Sequence, residues 1–284
     1  MAVFTIMIAF IGCNKDVNDE DIFLISKNSS IITEGSNMKY IIFSFDDGGK
    51  GIYEHAYKLM LKYGIKASMH INTKFIEDEH PNYISLEEAF EMRDSGFDFS
   101  SHSHGHVNEK NDLAISLSFL KKWGLADSIN VVFSSPNSEI YEGNLSHFND
   151  MLENNGITHV RTGTQVRRNG IFYSGIYLCQ KFFKSKHLFY HLNKNNLHKI
   201  NESTFFIKSV SIKKYNTVKQ LEYIVNRLNK GDVVVFLLHN IVPEKEMKKS
   251  NLYWFSAEKF EEFLQIITNK EDIEIITIND YISR

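Results

Sequence analysis

Two adjacent aspartates, Asp46 and Asp47, end the apolar run Tyr40-Ile41-Ile42-Phe43 and lead into Gly48 and Gly49. Side by side, each carboxylate disfavours the ionised form of the other, and a cation is the usual remedy. Further candidate ligands stand in Ser101-His102-Ser103-His104-Gly105-His106. The imidazoles of His102 and His106, four residues apart, can both reach one ion. With one carboxylate they make three protein ligands and leave positions open for water and substrate. Structural zinc is normally closed by four ligands, so a three-ligand set is catalytic in style. An open position lowers the pKa of a water and polarises a carbonyl. A third piece, His239, ends the late apolar run Phe236-Leu237-Leu238.

The elements that must position these residues alternate between strand and helix from Lys39 onward. Strands are expected at 40–45, 67–71, 97–101, 130–134, 158–161, 205–210, 233–238 and 273–278. Helices are expected at 51–63, 85–95, 111–123, 145–154, 218–228 and 256–268. Ser85 and Glu88 read as a capping box. The run Val233-Val234-Val235-Phe236-Leu237-Leu238 is apolar on both faces, as in a central strand of a covered parallel sheet. Such alternation makes either a barrel or an open doubly wound sheet. In both, a site lies beyond the carboxyl ends of the strands, where all three pieces fall.

With 284 residues and an ordinary apolar fraction, the chain can bury one large α/β core. A net charge of -3 gives no global reason to expect a nucleic acid or an anionic membrane surface as partner. Two cysteines, Cys13 and Cys179, are no disulfide framework. The apolar run Ala2–Gly12 is too short to span a bilayer and has the length of a signal-peptide core. Phe10-Ile11-Gly12-Cys13 resembles the lipobox of bacterial lipoproteins, although no Lys or Arg precedes the run. This predicts a lipoprotein signal over 1–12, a lipid anchor at Cys13 and an extracytoplasmic, envelope-bound protein. The alternative is a buried N-terminal strand. Residues 13–38, acidic and then rich in Ser, Asn and Gly, read as a polar tether, and 39–284 as the folded domain. Lys181–Lys199 has no acidic residue and reads as a solvated helix-loop insertion, with His187, His191 and His198 at its surface.

Three motifs together carry a resemblance. Ser44-Phe45-Asp46-Asp47-Gly48, His102-Ser103-His104-Gly105-His106 and Leu237-Leu238-His239 resemble, in this order, the motifs of the polysaccharide deacetylase family (NodB type, carbohydrate esterase family 4). Ser256-Ala257-Glu258-Lys259-Phe260 resembles the helix start that follows the last of them. The resemblance runs from about Lys39 to the end. It implies a single distorted (β/α) barrel and hydrolytic removal of acetyl groups, N- or O-linked, from an acetylated glycan. One divalent metal ion, zinc in the first place, would be bound by Asp47, His102 and His106. Asp46 would be the general base and His239 the general acid; His104 would not be a ligand.

Two motifs depart from the family's pattern. The stretch Phe133-Ser134-Ser135-Pro136-Asn137 lacks the usual arginine, and Arg161, at the next strand end, is the candidate replacement. No aspartate stands around Ile207-Lys208-Ser209-Val210 to orient the catalytic histidine, and Asn240 follows His239 where Asp is common. These departures motivate a second reading, a non-catalytic glycan-binding or assembly protein on a deacetylase scaffold. A third is a different metal hydrolase on an α/β barrel, such as an amidohydrolase or phosphatase.

Overall fold

The computed structural model describes residues 37–126, 129–163, 184–202, 204–248 and 250–284. The expected signal and anchor (1–12, Cys13) and the tether up to residue 36 lie outside these residues. So do Cys179 and the first residues of the expected insertion, 181–183.

The run around Tyr40–Phe45 forms β1 (Lys39–Asp47), buried along nearly its whole length. β9 (Asp232–Leu238) lies parallel to it, with Tyr40 opposite Val233 and Phe45 opposite Leu238. On its other side β1 changes neighbour partway along. Lys39–Ile42 pair with β12 (Ile273–Ile276), and Ser44–Asp47 pair with β2 (Ser68–Ile71). The parallel order continues through β3 (Asp98–Ser101), β4 (Val132–Ser134), β5 (His159–Thr162) and β7 (Phe206–Lys208). β8 (Val210–Ser211) then pairs with β9. Only Ser209 separates β7 from β8, and its N–H donates to the Thr162 carbonyl (2.9 Å). One interrupted strand therefore bridges β5 and β9 and brings the sheet almost full circle. The eight strands make a barrel-like sheet, not an open doubly wound one. It is distorted, since β3 and β4 share a single register pair, Ser101 and Phe133.

Alternation along β1 divides the core. Ile41, Phe43 and Phe45 face outward, and Phe43 meets Phe260 and Phe263 of the helix Ala257–Thr268 edge-on at 5.5 and 6.2 Å. Tyr40 and Ile42 face inward with Val132, Ile207, Val233, Val235 and Ile276, which fill the barrel floor. The next inward residues of β1 are Ser44 and Asp46, so the inner layer becomes polar toward the carboxyl rim.

Several elements differ from expectation. The first helix begins as a π-helical turn, Ile52–Tyr57, before Lys58–Lys62. The helix expected at 145–154 is a 3-10 segment, Glu142–His147, followed by Asn149–Asn154. The last strand stops at Ile276, because Thr277 and Asp280 form a capping box that starts the helix Ile278–Ile282. His198 is not at the surface. It lies buried in β6 (His198–Lys199), antiparallel to β9, and its Nε2 accepts from the Lys208 N–H (2.9 Å). Its neighbourhood is a helix, Lys186–Asn193, that buries Phe189 in the main core. Among the described residues no helix is long and apolar enough to cross a membrane.

Candidate active site

Strict alternation would send Asp46 and Asp47 to opposite faces of the sheet. The backbone prevents this: Asp47 (φ 71°) and Gly48 (φ 79°) are both left-handed, which turns the chain as it leaves β1. Asp is among the few non-glycine residues that adopt this conformation readily. Asp46 stays inside, buried, and Asp47 comes up onto the rim beside it. A side chain at Gly51 would overlap the Ile241 carbonyl and Asn240, so the loop after the aspartates packs directly on the segment after β9.

The two histidines follow β3. The His102 N–H donates to the Ile71 carbonyl (3.0 Å), and left-handed turns at Ser103 and His106 fold the loop back on itself. Asp112, at the start of the helix Lys110–Lys122, accepts from the N–H groups of His104 (2.8 Å) and Gly105 (3.0 Å). The Ser103 hydroxyl accepts from the Val107 N–H (3.0 Å). So braced, the rings of His102 and His106 meet edge-on at 4.9 Å. His104 points away, its Nδ1 3.0 Å from the Thr73 hydroxyl and its ring stacked on Phe119 at 5.5 Å.

Asp47 Oδ1 lies 3.4 Å from His102 Nε2 and 3.5 Å from His106 Nε2. Ligand atoms of all three residues lie within 4.8 Å of one another. His102 Nδ1 is 2.8 Å from the Ser134 carbonyl, which can only accept. That holds a proton on Nδ1, so Nε2, which carries a proton toward Asp47 while no ion is bound, would offer its lone pair to a cation. Donors about 2.1 Å from a common tetrahedral centre stand roughly 3.4 Å apart, so this donor set fits one small cation.

Across the pocket, Arg161 has no exposed surface. Its Nη2 donates to Asp46 Oδ1 and to the Ser134 hydroxyl, and that hydroxyl also donates to Asp46 Oδ1 (3.2 Å). The register of β4 on β5, Ser134 opposite Arg161, makes this cluster possible. His239 follows β9, half-buried, with its ring 4.8 Å from that of Tyr253. Among the described residues its buried Nδ1 has no hydrogen-bond partner, and neither has Asn240 Oδ1. No carboxylate of the described residues orients the imidazole from behind.

The charges are coupled through burial. Burial alone would raise the pKa of Asp46, but Arg161, His102, His239 and His70 outweigh it and hold the carboxyl well below the usual range. Asp47 is also lowered: its hydrogen bond to His102 and the charge of that ring outweigh burial and the repulsion of Asp46. Burial disfavours the charged form of His102, yet Asp46 and Asp47 together push its pKa up. His239 goes down, because burial outweighs the pull of the two aspartates. Reading single motifs did not disclose Ser134, Asp112 or His70, a wholly buried residue opposite Asp46 on β2. The only available signal was a His amid apolar residues in Ala67-Ser68-Met69-His70-Ile71.

Residues 33–130 match the family model described as polysaccharide deacetylase. A segment of 69 residues is 33% identical to a putative polysaccharide deacetylase, YxkH, of Bacillus subtilis. It covers 24% of this chain and 24% of that protein, about a quarter of the relative's length. The Xyl-CE4 domain of a multidomain xylanase from the hindgut metagenome of Trinervitermes trinervoides superposes with a TM-score of 0.50 at 12% identity. That superposition covers 87% of this chain and 90% of the other, and supports the fold. A family 4 acetyl xylan esterase from Clostridium thermocellum is similar at a TM-score of 0.48 and 15% identity, over 86% of this chain and 90% of its own. The matched residues 33–130, about a third of the chain, are similar to the polysaccharide deacetylase family and include both aspartates and the two histidines facing Asp47.

Proposed function

We propose that the protein is a metal-dependent hydrolase that removes N- or O-linked acetyl groups from a polysaccharide. The convergence of Asp47, His102 and His106 on one point, with Asp46 held against Arg161 beside them, carries this reading. Two imidazoles and a carboxylate favour zinc among divalent ions. When bound, the cation polarises the acetyl carbonyl and acidifies the attacking water toward the low basicity of Asp46. Asp46 takes the proton of that water, and Arg161 keeps the carboxylate ionised and aimed until then. His239 passes a proton to the departing nitrogen or oxygen. The two aspartates favour its charged form and work against the burial that keeps it neutral.

A groove of about 550 Å³ is lined by Lys50, His80, Tyr83, Phe119 and Trp123 among others, and by none of Asp46, Asp47, His102, His106 and His239. Aromatic faces of this kind suit the apolar faces of sugar rings. The lipobox-like sequence at Cys13 leads us to place the protein in the cell envelope, held by a lipid on that cysteine. Metabolic labelling with palmitate should mark the wild type and not Cys13→Ser; equal labelling would remove the anchor from the account.

The function is tested by acetate release from acetylated chitooligosaccharides and acetylxylan, using purified protein loaded with zinc, cobalt or nickel. Turnover on at least one substrate, lost in Asp46→Asn, is expected. Bound metal with no acetate from any substrate would favour the second reading, a glycan-binding protein on a deacetylase scaffold. The partnerless Nδ1 of His239 is the observation on that side.

A further inference from the structure

The chain that leaves β9 through His239 returns to the same place about a dozen residues later. β10 (Ile241–Val242) pairs in parallel with β11 (Phe255–Ser256), with Ile241 opposite Phe255. Just before β11 the returning chain is tied to both strands that flank His239. The Lys214 N–H, beyond the end of β8, donates to the Leu252 carbonyl (3.0 Å). The Phe255 N–H donates to the Asn240 carbonyl (2.9 Å), and the Phe255 side chain is wholly buried. Tyr253 stands between these two ties. It is one of the few large apolar side chains that stay exposed, at 45%.

The Tyr253 ring packs on His239. The two centroids are 4.8 Å apart and the planes are tilted by 37°, at the close end of the range that aromatic pairs favour. A second contact holds the tyrosine: Lys213 Nζ lies 5.5 Å from its centroid, within cation–π reach. The sheet sets up this stack. Ser211 on β8 stands opposite Leu237 on β9, and Lys213 and His239 each follow two residues later. Lys213, Tyr253 and His239 therefore meet at one point of the rim, and the proposed chemistry uses only the last.

A reactive imidazole is ordinarily oriented by a hydrogen bond to its second nitrogen. The buried Nδ1 of His239 has no such partner among the described residues. The bond that carries a histidine ring has a broad torsional preference, so a ring without an edge contact is free to turn about it. A ring packed on a tyrosine face cannot turn without giving up that contact.

We infer that Tyr253 is the positioning residue of the acid: its ring face holds the His239 imidazole in the plane from which the proton is delivered. It acts through His239, and it needs the aromatic face, not the hydroxyl. The inference rests on the reading of His239 as the general acid.

The test uses the full chain loaded with zinc and compares Tyr253→Ala with Tyr253→Phe on two leaving groups. An acetylated chitooligosaccharide expels an amine, which must take up a proton as it departs. The ester para-nitrophenyl acetate expels a stable phenolate, which needs none. In Tyr253→Ala, kcat on the oligosaccharide should fall about 10- to 100-fold. KM should stay within about twofold, and the loss on the aryl ester should be about twofold or less. Tyr253→Phe should recover most of the loss. NMR of the histidine-labelled protein should show the His239 ring protons shifted upfield by the neighbouring ring in the wild type and in Tyr253→Phe. In Tyr253→Ala that shift should vanish and the imidazole should become more mobile. Equal losses on the two substrates, a wild-type kcat in Tyr253→Ala, or a Tyr253→Phe no better than Tyr253→Ala would overturn the proposal. So would a His239 ring whose shifts and mobility are the same in Tyr253→Ala as in the wild type. The NMR arm decides even if no acetylated substrate turns over, an outcome that would count against the deacetylase reading alone.

Discussion

The two sides of the barrel rim are built differently. On the side of β1 to β3, the loop from Ser101 to Val107 is tied down by Asp112, Ser103 and Ser101, and His102 is oriented by a backbone carbonyl. Backbone and short side chains fix the donor atoms before any ligand arrives, at the modest net worth of about 0.5–1.5 kcal/mol per hydrogen bond. On the side of β4 to β9, Arg161 is buried against one carboxylate with two nitrogens unpartnered among the described residues. His239 has an aromatic neighbour but no orienting carboxylate among them. The first side is braced mostly within residues 101–112, with one contact reaching across to the Ser134 carbonyl on β4. The second depends on register between strands far apart in the chain. The metal-facing side should therefore survive changes that cripple the other.

The largest effects should come from separating the two sides. His239→Ala and Asp46→Asn should each lower kcat by about 10²- to 10⁴-fold while one zinc per chain is retained. His102→Ala should lose metal and activity together. Steady-state kinetics paired with elemental analysis checks this; loss of zinc in His239→Ala would erase the distinction between the sides. Arg161→Met comes next. It leaves Asp46 buried without its partner, and urea unfolding should show a loss of about 3–5 kcal/mol. Little change would mean that the Arg161–Asp46 pair is open to water in solution.

Asp112→Asn probes the braced side. It keeps the size of the carboxylate but weakens its hold on the His104 and Gly105 N–H groups. Zinc affinity should fall about 10- to 100-fold with kcat at saturating zinc nearly unchanged. Unchanged affinity would show that the loop is held by its serines alone. The smallest effect lies at the barrel floor, away from both sides. Asp98 accepts from the Asn279 N–H (2.9 Å), and burial pushes its pKa from 3.8 up to about 6. The folded state therefore binds more proton between these values. The stability this adds is fully present below the unfolded pKa and is lost as pH rises through the folded one. Asp98→Asn should flatten that slope, on the order of 1–2 kcal/mol between pH 4 and 7, without altering zinc stoichiometry. A slope equal to the wild type would place the titration elsewhere.

The same division explains what could be read from sequence. Asp46, Asp47, His102 and His106 stand in short motifs at strand ends, where local order alone suggests a shared ion. Alternating β and α with a late strand apolar on both faces left a barrel and an open doubly wound sheet equally possible, and the barrel was implied by the family resemblance alone. Closure through β7 and β8 was not readable, because the break at Ser209 depends on which neighbours each half meets. Arg161 could be nominated as the last charged residue of its strand. Its contact with Asp46 depends on the β4–β5 register, which no single segment encodes. Ser134 acts partly through its backbone carbonyl, which leaves no trace in residue type. The Thr277–Asp280 box was present in sequence as a helix start and was overrun by the apolar strand before it. His198 resembled its polar neighbours, and only pairing with β9 buries it.

On the proposed reading, Asp47, His102 and His106 hold one catalytic cation. Elemental analysis of the purified chain after zinc loading and exhaustive dialysis tests it most directly, with the wild type, His106→Ala and His239→Ala side by side. One zinc per chain is expected in the wild type and in His239→Ala, and well below one in His106→Ala. A wild type that retains no ion, or a stoichiometry indifferent to His106, would contradict it.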